Sequence, residues 1–305
     1  MANLKEIRNR IASVSSTMQI TSAMKMVSAA KLKKAQDAII AMRPYSDKLT
    51  QLLLDLSSSV NFESDYIKSG KIENKLVVCI TSNRGLCGAF NSNVIKRCIE
   101  IVDSSEANVS FICIGKKGGD ILSKRYNVIE TNNQIFDDLT FENIATIADS
   151  LMGRFFDKEF DCVELVYNKF KNAATQIVTN EQFLPIEKHE SKEDQTNSLD
   201  YIFEPSKIKI ISELIPKSLK TQLYKSVRDS YASEHGARMT AMHKATDNAT
   251  ELRDQLKLTY NKARQAAITN EILEIVGGAE ALNGCLLYTS PSPRDLSTSR
   301  MPSSA

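Results

Sequence analysis

No apolar run in this chain approaches the about 18 residues that a bilayer-crossing helix needs, so a membrane span is not expected. The opening residues Met1-Ala2-Asn3-Leu4-Lys5-Glu6 lead straight into an amphipathic pattern, without the apolar core of a leader peptide; neither import nor secretion is expected. Tryptophan is missing, and the apolar fraction of 42% is ordinary for a water-soluble chain. Only three histidines occur, His189, His235 and His243, and none has Cys or paired carboxylates at ligand spacing, which argues against a metal site. The six cysteines, Cys79, Cys87, Cys98, Cys113, Cys162 and Cys285, show no paired spacing and lie mostly in apolar runs. They read as buried reduced thiols of a cytoplasmic protein and not as a disulfide framework. Glycine motifs for phosphate are lacking as well: neither G-x-G-x-x-G nor a Gly-Lys-Ser/Thr loop is present. With no G-x-S-x-G elbow and no Cys/His arrangement, an enzyme reading has no acid, base or nucleophile to stand on, and no cofactor is expected.

What the chain does have is a long helical pattern at each end. Leu4, Ile7, Ile11, Val14 and Met18 recur at steps of 3, 4, 3 and 4, one stripe of a helix. Glycine is absent from residues 3 to 57, where Pro44 is the only proline, and 55 residues of helix would span roughly 80 Å. Near the other end Ala237, Ala241, Ala245 and Ala249 recur every fourth residue, and Leu252, Leu256, Ala263 and Ala267 extend the face. A helix from Lys217 to Leu282 would measure about 100 Å, with Pro216 at its start or at a kink. Neither helix can bury its stripe alone. The predicted fold is therefore an antiparallel coiled coil of long N- and C-terminal helices around a central Rossmann-like, mainly parallel α/β domain. The seam is read as shifting phase after Met18 and as Ala-rich; strict heptads with Leu at d would instead favour a static scaffold, the alternative reading.

The middle of the chain alternates strand-like and helix-like runs, as a mainly parallel sheet covered on both sides requires. Apolar runs at Leu76 to Ile80, Val109 to Ile114 and Cys162 to Val166 read as strands, and Thr175 to Phe183 alternates like an edge strand. Helices are predicted at Asn91 to Val102, after Gly119, and at Phe141 to Phe156, with a further short strand at Leu199 to Phe203. The resulting division is a first shaft helix over 1–57, a linker over 58–74, an α/β domain over 75–206, a second shaft helix over 207–284, and a tail over 285–305. That tail is Ser/Pro-rich and aperiodic, and reads as a non-native extension or a disordered segment.

Two local features invite a functional reading. Thr81 to Asn91, with Arg84-Gly85-Leu86-Cys87-Gly88 at its centre, follows the first strand, where ligands sit in open α/β sheets. Its glycine spacing, like that of Gly115 to Gly119, fits a strand-to-helix turn better than a phosphate cradle, which leaves Arg84 as a cation projecting from a turn. Lys25, Lys31, Lys33 and Lys34 crowd one part of the first helix. No aromatic residues are interleaved for base stacking, so this collar suits an acidic partner and not nucleic acid.

Several stretches together resemble one family. Ile7 to Ala12, Ile20 to Val27, Arg43-Pro44-Tyr45, the Arg84 to Gly88 turn, Ala237 to Met242 and Tyr260 to Thr269 with Glu271-Ile272 are similar, in order, to the gamma subunits of F-type ATP synthases, over residues 1 to about 284. Asn83 departs from the Asp that many members carry before Arg-Gly-Leu-Cys-Gly. The resemblance implies a central rotor stalk that couples ion-driven turning of a membrane c ring to the catalytic beta subunits. It implies no catalysis by the chain itself. Partners would be the alpha and beta subunits, the epsilon subunit and the c ring, with one copy per complex, and the location the cytoplasmic face of a bacterial inner membrane without insertion into it. On the same resemblance Arg264 and Gln265 correspond to a pair that binds a beta catch loop. Arg84, Met24, Lys25, Lys31, Lys33 and Lys34 would face acidic beta levers, and Ile268, Ile272, Ile275 and Val276 would form the bearing at the shaft tip. Asp200, Tyr201 and Glu204 would form the foot beside the c ring.

Overall fold

Strand β1 (Asn74–Ile80) is buried on both faces, and Leu76, Val77, Val78, Cys79 and Ile80 expose nothing to solvent. A continuous apolar run of this kind is what a central parallel strand requires. The computed structural model describes residues 4–59, 66, 72–186 and 207–287. Around β1 the elements run α1 (Leu4–Ser59), α2 (Phe90–Ser104), β2 (Asn108–Ile114), α3 (Lys116–Leu122), β3 (Val128–Asn132), α4 (Phe141–Phe156), β4 (Cys162–Phe170), β5 (Gln176–Leu184) and α5 (Lys207–Leu287). The sheet order is β3-β2-β1-β4-β5. All neighbours are parallel except β5, which returns antiparallel along β4 as an edge strand.

Alternate side chains of β1 feed two cores, as the two-residue period of a strand dictates. Leu76, Val78 and Ile80 pack with Ile144, Leu151 and Phe155 of α4 and with Ile215, Leu219, Leu223 and Val227 of α5. Val77 and Cys79 pack with Val94, Ile95, Cys98 and Ile101 of α2, Phe111 and Cys113 of β2, and Leu122 of α3. The α5 residues recur every fourth position, so the first turns of this helix cover the sheet and belong to the α/β core. Cys79, Cys87, Cys98, Cys113 and Cys162 are free and buried.

Three expectations need correction. The helix expected after Gly119 begins earlier, at Lys116, and contains both Gly118 and Gly119. Strand β3 was not anticipated, because five residues with three exposed in the middle carry no apolar alternation. Pro216 lies inside α5, so of the two positions expected for it the start is excluded and the internal one stands. The strand expected at Leu199 to Phe203 falls outside the described residues.

The chain divides into two compact units, residues 21–245 and residues 1–20 with 246–305. Within the described part of the smaller unit, Leu4, Ile11, Val14 and Met18 are half-buried and Ile7 is buried. Arg8 donates to the Tyr260 hydroxyl at 2.9 Å, while Thr250 Oγ1 lies 3.3 Å and Arg253 Nη1 3.5 Å from the Met18 sulfur. Partners on α5 descend as positions on α1 rise, so the pairing is antiparallel. In the larger unit the same sense holds: Leu32, Ala35 and Ile39 cluster with Ala232, and Lys217 Nζ lies 6.0 Å from the centre of the Tyr45 ring.

The expected phase shift after Met18 does not occur. Steps of three and four continue through Thr21, Lys25, Ser28, Leu32, Ala35, Ile39, Met42, Ser46 and Leu49, all buried or half-buried. Chemistry changes there, not geometry. Ser28 can sit at the seam because its hydroxyl donates back to the Met24 carbonyl at 2.7 Å. On α5 the expected face also drifts: Leu252 is 47% exposed and Ala267 is exposed. Thr246, Ala249, Arg253, Leu256, Tyr260 and Ala263 are half-buried, again at steps of three and four, with half-buried Thr250 beside Ala249. A run read every fourth residue rotates away from a 3.5-residue seam within a few turns. Arg253 and Tyr260 fill seam positions with an aliphatic stem and a ring, while the Arg253 guanidinium pairs with Asp254 and the Tyr260 hydroxyl accepts from Arg8.

Candidate functional site

In a sheet of this order the crevice for ligands opens between β1 and β4, outside their carboxyl ends. Here α5 occupies it. Residues 232–238 are buried without interruption. Ser233 Oγ donates to the Asn168 carbonyl of β4 at 3.0 Å, and Thr240 Oγ1 donates to the Ala173 carbonyl at 3.2 Å. Gly236 lets the helix approach, since a Cβ there would lie 3.2 Å from the Ala173 backbone. On the β1 side, Arg238 Nη2 donates to the carbonyls of Arg84 at 3.0 Å and Gly85 at 3.3 Å.

The turn that receives Arg238 is tied internally. Ser82 Oγ donates to the Arg84 carbonyl at 2.7 Å, the Ser82 N–H donates to Asn91 Oδ1 at 3.0 Å, and Asn91 Nδ2 lies 3.2 Å from the Cys87 sulfur. Leu86 and Gly88 have φ of 64° and 60°, the left-handed region; Leu86 is 62% exposed. The second Gly-rich turn is no phosphate cradle, because a cradle needs free N–H groups. The N–H groups of Lys116, Lys117 and Gly118 donate to Asn83 Oδ1, the Ser82 carbonyl and Thr81 Oγ1 at 3.1, 3.1 and 2.9 Å. Gly115, at φ 107°, presses so closely on β1 that a Cβ would fall 2.2 Å from the Thr81 carbonyl oxygen.

The electrostatics of the plug follow from its burial. Glu234 and Arg238, four residues apart on α5, form an ion pair at 2.7 Å with side chains 9% and 8% exposed. Burial raises the Glu234 carboxyl, and Arg238, Lys31 and Arg84 oppose that rise. His235 is pushed down to about 3, first by burial and then by the charges of Arg238 and Lys31, and is therefore neutral. A guanidinium can only donate, so His235 Nδ1, 3.4 Å from Arg238, accepts and Nε2 carries the proton. Nε2 has no hydrogen-bond partner among the described residues, and the ring meets Tyr231 edge-on at 4.5 Å. His235 thus lies inside the plug. Earlier on α5, burial pushes Asp229 up to about 6, with Lys225, Arg43 and Lys169 opposing and Glu181 adding to the rise.

Of the residues singled out from the sequence, Arg84 is exposed on the pinned turn, and Lys31 is exposed nearby, both close enough to Glu234 to favour its charge. Lys33 and Lys34 are exposed, whereas Lys25 lies half-buried on the seam beside half-buried Met24. Arg264 and Gln265 follow the half-buried Ala263, and every residue from 264 to 282 is exposed. Ile268, Ile272, Ile275 and Val276 are 46%, 54%, 66% and 48% exposed. These two sets belong to different compact units. Asp200, Tyr201 and Glu204 lie outside the described residues. Glu234 and Arg238 carried no expected role, although Arg238 lies in the Ala237 to Met242 stretch; as a pair they show in the sequence only as i,i+4 charges among small residues. Among the described residues no group of His, Cys, Asp and Glu could hold a metal ion, and no helix is long and apolar enough to cross a membrane.

Comparison with known proteins gives concordant matches. The family model described as ATP synthase matches residues 3–282. The ATP synthase gamma chain of Flavobacterium johnsoniae is 68% identical over 287 residues, covering 93% of this chain and all of that one. The ATP synthase gamma chain of Christiangramia forsetii is 64% identical over 288 residues, with the same coverage. Among solved structures, a chain of the Euglena gracilis mitochondrial ATP synthase (OSCP/F1/c-ring, rotational state 3) matches with a TM-score of 0.71 at 22% identity. That match covers 98% of this chain and 99% of the other, and is a likeness of fold.

Proposed function

This chain belongs to the ATP synthase gamma chain family, and from that premise we propose that it turns as the shaft of the motor, coupling rotation of a c ring to cycling of catalytic beta subunits. It is a non-catalytic central stalk subunit that works within the membrane-associated ATP synthase assembly. The partners we propose in detail are the alpha and beta subunits, the epsilon subunit and the c ring, with one copy of this chain per complex. The proposed location is the cytoplasmic face of a bacterial inner membrane.

One observation carries the rotor reading. The two helices are joined by Arg8 and Tyr260, and from residue 264 to 282 every residue of α5 is exposed, including a series of Ile and Val side chains. A stiff pair that ends in a single apolar helix suits a bearing, where contact must be non-directional if the shaft is to turn. A static spacer has no need of such an end, although the unbroken seam would serve it equally well. Rotation of an asymmetric shaft presents a different face to each catalytic subunit in turn, and only differential contact can shift their nucleotide affinities.

In this reading Arg264 and Gln265 engage a beta catch loop; Arg84, Met24, Lys25, Lys31, Lys33 and Lys34 face acidic levers; Asp200, Tyr201 and Glu204 form the foot. Residues 285–305 lie past the family match, and 288–305 lie outside the described residues; we take the segment as a non-native extension, which sequencing of the locus beyond the Gly284 codon tests. The direct test of the coupling role is Arg264→Ala with Gln265→Ala in the assembled complex. ATP-driven ion pumping should fall while the helicity of the purified chain, read by circular dichroism, stays at the parent level. Pumping at the parent rate would remove the catch assignment.

A further inference from the structure

Two neighbours of Arg84 stand the wrong way round for the needs of their own chain. Leu86 has φ 64°, in the left-handed region that glycine enters freely and a residue with a Cβ enters only under strain, and it is 62% exposed. Gly85, just before it, has φ outside that region, and a Cβ added there would meet nothing within 4 Å. Within the chain, then, glycine would suit position 86 better, and a small side chain would be tolerated at position 85.

The surroundings hold this arrangement in place. Cys87 turns inward to pack with Phe90 and with Ala237 of α5. Ser82 and Arg238 fix the Arg84 carbonyl, Arg238 also takes that of Gly85, and Asn91 reaches the Cys87 sulfur. With Cys87 drawn in and both carbonyls pinned, Leu86 is turned out to solvent. An exposed leucine alone is ordinary. One kept where it strains the backbone is not, because such strain persists only when the surroundings over-determine it, and it gathers at sites of contact. Gly85 is the converse: it gives the fold nothing but a larger entropy to lose, yet it offers bare backbone to a surface that approaches from outside.

We propose that Leu86 is an apolar knob and Gly85 the bare step beside it, and that together they dock on the acidic lever of a beta subunit, Leu86 filling an apolar socket there while Gly85 lets the lever close in. This rests on the reading above in which Arg84 meets that lever. Arg84 and Lys31, both exposed, supply the charge that draws an acidic segment in. Attraction between exposed charges is screened and weakly directional. A buried anchor beside them gives the contact its place, as the central apolar residues of an interface do.

The test uses changes that the chain itself should accept. Leu86→Asn puts a residue that tolerates the left-handed region in place of the apolar side chain. Gly85→Ala adds one methyl group in open space. Leu86→Met keeps an apolar side chain of similar volume. As purified full-length chains, Leu86→Asn and Gly85→Ala should melt no lower than the parent, read by circular dichroism. In the assembled complex, ion pumping per ATP hydrolysed should fall by about fivefold or more in each of those two, the low end of a coupling free energy, while Leu86→Met stays near the parent. Arg84→Ala is measured beside them. Parent-like pumping in Leu86→Asn and Gly85→Ala, with a loss in Arg84→Ala, would overturn the docking and leave the lever reading in place. Parent-like pumping in all three would remove both. A loss in Leu86→Asn and Gly85→Ala with none in Arg84→Ala would remove the charge contact and keep the apolar one. A melting point of Leu86→Asn well below the parent would show that the leucine serves the fold, and would also overturn the proposal.

Discussion

The buried charges of α5 show how far a single residue depends on its partner. Arg238 neutralises Glu234, satisfies two turn carbonyls and fixes the His235 tautomer, so its removal leaves a carboxylate buried and unpaired. Breaking such a pair costs about 3–5 kcal/mol, whereas replacing both members by apolar residues costs much less. Urea unfolding of Arg238→Met, Glu234→Met and the double variant should show the double variant more stable than Arg238→Met alone; additive losses would contradict the pairing. Asp229 gives a pH signature of opposite sense to His235. Its folded pKa, about 6, stands above the ordinary value, so the unfolded chain ionises first and the fold loses stability as pH rises from about 4 to about 6. For His235 the folded value is depressed, and stability is lost as pH falls from about 6.5 towards 3. Comparing Asp229→Asn with the parent cancels the histidine. The variant's stability advantage should widen between about pH 4 and 6, by on the order of 2 kcal/mol, and then level off. A gap that does not change with pH would mean that Asp229 is not held protonated.

At the scale of the element, the question is which face of α5 meets α1. Counting every fourth residue puts Leu252 and Leu256 on one face, yet Leu252 is 47% exposed while Leu256 is half-buried. The steps of three and four through Arg253, Leu256 and Tyr260 match those through Leu4, Ile7, Ile11, Val14 and Met18, as two helices sharing a seam must. Leu256→Lys should therefore destabilise the pair by about 1–2 kcal/mol, while Leu252→Lys should change stability by less than about 0.5 kcal/mol. Thermal unfolding followed by circular dichroism separates the two, and equal effects would reject this register. The Arg8–Tyr260 contact is exposed, so solvent screens it and the half-buried seam residues on either side hold the pair more than it does.

For the whole molecule, the α/β domain resembles a ligand-binding sheet whose crevice has been given to its own helix. Ser233, Gly236, Arg238 and Thr240 occupy the space between β1 and β4, and the N–H groups of the second Gly-rich turn are already bonded within the protein. Purified chain titrated with ATP in a calorimeter should give no binding heat up to millimolar nucleotide. A micromolar site would mean that the crevice is open and that the domain does chemistry of its own. The plug has a second consequence. It binds the domain to α5 along the stretch that joins the sheet-covering turns, Ile215 to Val227, to the region packed on α1, so rotation of one must carry the other.

By itself the sequence determined the elements whose signal is local. Helix α4 was readable to its ends because Thr140 accepts from the Asn143 N–H in front of an apolar stripe, and β1 because a central parallel strand is apolar throughout. Its motifs, in order, were also enough to name the family. Only the tertiary structure decided what the motifs are for. That the Arg84 turn meets Arg238, that Asn83 spans three turns, and that α5 first covers the sheet before pairing with α1 are contacts between residues far apart in the chain, 33 to 154 residues for the hydrogen bonds. Hydrophobic periodicity reports which face of an element is buried, but not what it is buried against. A charged residue such as Arg238 gives no sign in sequence of whether it will be solvated or paired, since its burial is set by partners that the fold brings from elsewhere.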